Sequence, residues 1–111
     1  MKVAIIGSRN LIVKDLKKYL PKDTIEIVSG GAKGIDTCAR EYAYQNKLII
    51  TEFLPEYCKY GRGAPLIRNK QIVDYSDKVI AFWDGKSKGT KYVIEYCEKN
   101  NKSLDVHILK K

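Results

Sequence analysis

The sequence predicts an α/β fold, a mostly parallel five-stranded sheet with helices on both of its faces. Three observations carry this. Short Val- and Ile-rich runs alternate with stretches of helical periodicity along the whole chain. The runs are apolar throughout instead of alternating, as strands covered on both faces must be. A length of 111 residues accommodates one core and not two, so one domain over residues 1–111 is expected.

Residues 2–7 (KVAIIG) are an apolar run ending in glycine, the first strand. Residues 11–20 (LIVKDLKKYL) place Leu11, Ile12, Leu16, Tyr19 and Leu20 on one helical face, and Pro21 ends that helix. Residues 25–29 (IEIVS) are the second strand, and a helix follows from Ile35 to about Asn46. Residues 48–53 (LIITEF) are the third strand, and Leu54 to Ala64 is a long connection with Pro55, Gly61 and Gly63. A helix from about Pro65 to Tyr75 begins on a proline, which suits a first turn. Residues 78–82 (KVIAF) are the fourth strand, 90–100 the last helix and 104–109 (LDVHIL) the fifth strand.

Composition narrows the function. The 44% hydrophobic and 31% charged content is that of a folded globule. No apolar run approaches the roughly 20 residues that span a bilayer. The start, MKVAIIG, enters a strand directly, without signal-peptide architecture. Cys38, Cys58 and Cys97 are odd in number and form no CxxC, which argues against a disulfide framework or a zinc site. A cytoplasmic location is therefore expected. A net charge of +8 favours nucleic acid, nucleotides or other anions, and equally describes a lysine-rich solvated surface. His107, the only histidine, is structural or exposed, having no second ligand and no nucleophile to serve.

Right-handed crossovers place every strand's C-terminal end on one edge, where such sheets bind ligands. The loops on that rim are Gly7-Ser8-Arg9-Asn10, Ser29-Gly30-Gly31-Ala32-Lys33-Gly34, and Trp83-Asp84-Gly85-Lys86-Ser87-Lys88-Gly89-Thr90. Gly61-Arg62-Gly63 leads into a helix that carries Arg68 and Asn69. Glycines let the backbone approach a ligand, helix starts offer unsatisfied N–H donors, and the cations and hydroxyls add further donors. Phosphate uses such a set best, and tight βα turns are the plainer reading of the same glycines. The chain has no GxxxxGK[ST], and Gly61-Arg62-Gly63 does not continue into GxGxxG, since position 66 is leucine. Neither a metal site nor a catalytic triad is expected.

SGGAKGIDTCAREYA resembles the SGxAxGID helix start of the DprA/Smf family, and DGKSKGTKYVIEYC is similar to the glycine-threonine helix start of the LOG family. With the opening GSR and the stretch GRGAPLIRNKQIVDYSDKVIAFWDG, nearly the whole chain resembles the small YspA/YpsA-related branch of the SLOG superfamily. The resemblance implies a Rossmann-like three-layer α/β/α fold with a rim site for nucleotides or nucleotide-derived molecules. Such members have been proposed as ligand sensors in bacterial and phage conflict systems. It implies contacts from Gly7, Ser8 and Arg9, from Ser29, Gly30, Gly31, Ala32 and Lys33, from Asp36, from Arg68 and Asn69, and from Ser87, Lys88, Gly89 and Thr90. Lys33 and Lys88 would neutralise phosphate while Ser29, Ser87 and Thr90 donate hydroxyl hydrogen bonds. Asp36 either accepts a sugar hydroxyl or holds its own loop through backbone N–H groups, the second being better suited to an anion site. Trp83 and Tyr60 either stack on a base or pack in the core or a subunit contact.

Departures from the relatives set the functional expectation. LOG phosphoribohydrolases carry a glutamate three residues after the motif threonine, where this chain has Val93, and Glu95 falls on another helical face. DprA proteins are larger and carry added elements that help them bind single-stranded DNA and a recombinase. The reading is a non-catalytic module that senses or sequesters a phosphate-containing nucleotide or derivative. No catalytic residue and no cofactor is expected. Single-stranded nucleic-acid binding is the second reading, and weak hydrolysis of a nucleoside phosphate through Asp36, Asp84 or Glu95 is the third. A homodimer or higher homo-oligomer is compatible with the eight tyrosines.

Overall fold

The computed structural model describes residues 1–31 and 34–109. Its five strands are β1 (Lys2–Gly7), β2 (Glu26–Ser29), β3 (Ile49–Glu52), β4 (Lys78–Trp83) and β5 (Ser103–Ile108). They form one sheet in the order β3-β2-β1-β4-β5, and every neighbouring pair is parallel. Four α-helices connect them: α1 (Ile35–Gln45), α2 (Tyr57–Tyr60), α3 (Ala64–Tyr75) and α4 (Lys88–Lys99).

Alternation along the strands builds two cores. On one face Val3, Ile5, Ile27, Ile80 and Phe82 meet Ile35, Ala39 and Ala43 of α1, with Leu11 and Leu16. On the other, Ala4, Ile6, Val28, Val79 and Ala81 meet Ile72 and Val73 of α3 and Val93 and Cys97 of α4. The result is the expected three-layer, Rossmann-like α/β/α arrangement. Burial pushes the Cys97 thiol up to about 11, in keeping with a cysteine used as a small apolar residue. His107 packs against the rings of Tyr19 and Phe82, at centroid distances of 4.6 and 5.5 Å, which makes it structural.

One expected element is absent. Residues 11–20 do not form an α-helix; the segment holds one 3-10 turn, Leu16–Tyr19. Leu11 and Leu16 are 4% and 2% exposed, whereas Ile12, counted on the same helical face, is 73% exposed. Positions five apart sit about 140° apart on a helix, so residues 11 and 16 could not both face one core in that form. An extended path lets both dip inward, and the β-branched pair Ile12-Val13 suits it. Leu20 is extended before Pro21, as a residue preceding proline prefers. The long connection after β3 also differs, since it holds α2 and a 3-10 turn at Gly61–Gly63.

The order of strands locates the functional edge. From β1 the chain moves outward to β2 and β3, then returns beside β1 as β4 and continues to β5. The direction reverses between β1 and β4, whose register ends with Gly7 opposite Phe82. A crevice outside the C-terminal ends of these two strands is where open α/β sheets take ligands.

Candidate functional site: a cleft at the strand-order reversal

Gly7 ends β1 under tight constraint. A Cβ there would stand 2.5 Å from Ile35 Cγ1 and 2.7 Å from the Phe82 carbonyl oxygen, so only glycine lets α1 start this close to β1 and β4. The Ser8 N–H donates to the Phe82 carbonyl at 3.1 Å, and Ser8 Oγ accepts from the Asp84 N–H at 3.3 Å. These two bonds tie the loops after β1 and β4 together at the rim.

The loop after β2 is fastened from α3. Arg68 Nη1 donates to the Gly30 carbonyl at 2.9 Å and to the Phe53 carbonyl at 3.3 Å, while its Nε donates to Asn69 Oδ1 at 2.8 Å. A Cβ on Gly30 would lie 2.5 Å from Arg68 Nη1 and 3.1 Å from Asp36 Oδ2, so glycine makes room for the guanidinium and the carboxylate together. Burial lowers the Arg68 pKa, Asp36 and Tyr57 oppose that shift, and Arg9 adds to it. Arg68 is thus a partly desolvated cation that staples the ends of β2 and β3 to α3. Below the loop, fully buried Ser29 accepts the Gly31 N–H at 3.4 Å through Oγ.

The loop after β4 is organised by Asp84. Its Oδ1 accepts from the N–H groups of Lys86 and Ser87, both at 2.8 Å, and these bonds hold the carboxyl below the usual carboxylate range. Ser87 caps α4, accepting the Thr90 N–H at 3.4 Å, and its hydroxyl lies 3.3 Å from Thr90 Oγ1. The Trp83 indole N–H donates to the Ser87 carbonyl at 3.0 Å. That bond uses the ring's polar edge to brace the cap.

Together these loops enclose a cleft of about 410 Å³. Of the residues expected at the site, Gly7, Ser8, Arg9, Gly30, Asp36, Arg68, Asn69, Ser87, Gly89 and Thr90 line it. Ser29, Gly31, Trp83 and Lys88 are not among its lining residues, and Ala32 and Lys33 lie outside the described residues. Six further residues line the cleft: Asn10 and Asp84, and the apolar Ile6, Pro65, Ile72 and Val93. Spacing marks most of the apolar ones, because 65, 68, 69 and 72 are i, i+3, i+4 and i+7 on α3, and 90 and 93 are i and i+3 on α4. First-turn residues of α1 and α4 line the cleft, whereas α3 borders it along two turns of its side. Among the described residues no group of His, Cys, Asp and Glu could hold a metal ion, and no helix is long and apolar enough to cross a membrane.

No significant match to a curated protein or to a solved structure was found. The family model of DNA recombination-mediator protein A matches residues 1–47, which hold β1, the SGGAKGID loop and α1. That match supports the DprA/Smf side of the resemblance, and over this stretch the chain is similar to the DNA recombination-mediator protein A family.

Proposed function

We propose that this chain is a binding module for a phosphate-containing nucleotide or nucleotide-derived molecule, which it senses or sequesters without chemical conversion. The observation that carries the proposal is the convergence of the loops after β1, β2 and β4, of first-turn residues of α1 and α4, and of Arg9 and Arg68 on one cleft at the strand-order reversal. Helix starts present N–H donors and the positive end of a dipole, a standing arrangement for a phosphate group. The apolar side formed by Ile6, Pro65, Ile72 and Val93 suits a sugar or base. In this reading Ser8, Arg9, Ser87 and Thr90 hold the phosphate end, with Lys33 and Lys88 neutralising its charge. Asp36 and Arg68 hold the loop between them. The likeness to the smaller YspA/YpsA-related branch rests on the motifs and agrees with a sensing role.

Absence of catalysis is read from Val93, which lines the cleft where LOG enzymes carry a glutamate. Native mass spectrometry of freshly purified protein should reveal a retained nucleotide-sized molecule. Incubation with nucleoside monophosphates should release no free base. Protein that is free of any such molecule and unresponsive to every nucleotide in a thermal-shift series would overturn the proposal.

Single-stranded nucleic-acid binding is the second reading, favoured by the match of residues 1–47 to DNA recombination-mediator protein A. Its most suitable surface is a groove at the opposite edge of the sheet, lined by Lys17, Lys18, Lys22 and Tyr42.

A further inference from the structure

Among the described residues no further strand pairs with either edge of the sheet, and the two edges differ. β3 offers four residues, whereas β5 offers the six-residue run Ser103–Ile108 in unbroken register with β4. That run lacks the lysine, proline or bulge that usually guards an open edge. Val106 and Ile108 on it are 39% and 62% exposed. The Leu109 N–H donates to the Trp83 carbonyl at 2.8 Å, so alternation turns the N–H and C=O groups of Leu104, Val106 and Ile108 away from β4, toward the open side. Their side chains share one face, on which Leu104 packs against the core under α3 and α4.

We infer that β5 pairs antiparallel with β5 of a second copy of this chain, about a two-fold axis at Val106, so that one sheet runs through both copies. An axis normal to the sheet keeps each face on its own side, so even positions meet even and odd meet odd. Centred on Val106, every outward backbone group of β5 finds a partner: Val106 meets its copy and Leu104 meets Ile108 on either side. At two bonds per facing pair this gives about six inter-chain hydrogen bonds. The apolar side chains of these pairs meet on one face. On the other face Asp105 falls opposite the second copy's His107, carboxylate against imidazole, in the closely spaced pairs between the hydrogen-bonded ones. Asp105 holds Lys78 at 2.9 Å with its side chain 47% exposed, which leaves acceptor capacity for a second donor. Centring on Asp105 instead sets two carboxylates face to face, and centring on His107 leaves Leu104 opposite no residue of β5. The strand is thus self-complementary in one register. This pairing is independent of what the rim cleft binds.

An edge pair of this length buries less than a standard interface, so a dissociation constant of about 10–100 μM is expected. Sedimentation velocity of the full chain from about 2 μM to about 1 mM should show monomer passing to dimer. Val106→Pro removes an N–H that faces the open side and no bond to β4, so it should stay monomeric throughout with an unchanged circular dichroism spectrum. Ile108→Lys, at an exposed position, should do the same. Under copper–phenanthroline oxidation Val106→Cys should form a disulfide from position 106 to position 106 of the second copy, since the axis brings those Cα atoms to about 5.5 Å. Peptide mass spectrometry reads that link. A chain that stays monomeric at every concentration overturns the inference, as does a dimer that survives either substitution in a folded chain. Oxidised Val106→Cys without the 106-to-106 link overturns the register.

Discussion

Replacing Arg68 with alanine tests how the cleft is held open and in register. The side chain donates three hydrogen bonds, two of them to carbonyls at the ends of β2 and β3. Bonds from a charged donor contribute about 1.5–3 kcal/mol each. The guanidinium is partly buried, which lowers its pKa, and water can reach the vacated Gly30 carbonyl from the cleft that Gly30 lines. The net loss should therefore be nearer one strong bond than three, about 2–3 kcal/mol. Urea unfolding followed by circular dichroism measures it: with a slope of about 1–3 kcal/mol per molar for a small protein, the midpoint should fall by roughly 1–2 M. Arg68→Lys keeps the charge and loses the planar fork, so it should recover only part of the loss. Hydrogen exchange should quicken near Gly30 and Gly31 in both variants. An alanine variant with an unchanged midpoint and unchanged exchange at that loop would refute the staple.

Gly34→Ala should destabilise by about 3 kcal/mol or more, because Gly34 has φ 72° and its Cβ would stand 2.4 Å from the Arg9 carbonyl oxygen; thermal melting checks it. Asp84 gives a pH dependence: its folded pKa is depressed by the Ser87 and Lys86 N–H groups, so its contribution is present above the ordinary aspartate value near 3.9 and lost as pH falls toward the folded value. Stability curves of the unaltered protein and Asp84→Asn should accordingly converge in that acidic window. Lys33→Glu should abolish binding of a nucleoside monophosphate while the fold survives, and Lys14→Glu should leave binding unchanged; titration calorimetry distinguishes them.

The layered fold was legible because both inner strands carry a physical signature that nothing else in the chain imitates. VAII and VIAF are short β-branched-rich runs, apolar at consecutive positions as strands covered on two faces are, and Val3, Ala4, Ile5, Val79, Ile80, Ala81 and Phe82 are fully buried. The first connection was misread because Leu11, Leu16 and Tyr19 are apolar for reasons of reach, not of helical phase. Periodicity cannot distinguish a helix from an extended strap that dips into the core twice.

At the rim, glycines and donors could be assigned to loops, and topology then gathered the loops on one edge. Side-chain partnerships were not legible. Nothing in the sequence says that Arg68 spends its Nη1 on two carbonyls, or that the Trp83 indole braces the helix cap. The apolar wall was also overlooked, since Ile6, Ile72 and Val93 look like core positions and serve the core and the cleft at once.

The central claim is tested most directly by competition between a mononucleotide and an oligonucleotide for the same protein. A fluorescent single-stranded oligonucleotide is titrated across a range of salt, alone and with the best-binding nucleoside monophosphate. Each phosphate contact on a single strand adds about −0.7 to the slope of log affinity against log salt. A cleft for one nucleotide predicts a slope no steeper than about −1.4, no gain with oligonucleotide length, and full displacement by the monophosphate. A steep slope, with affinity rising with length and no displacement, would contradict it and move binding to an extended basic surface such as the groove with Lys17, Lys18 and Lys22.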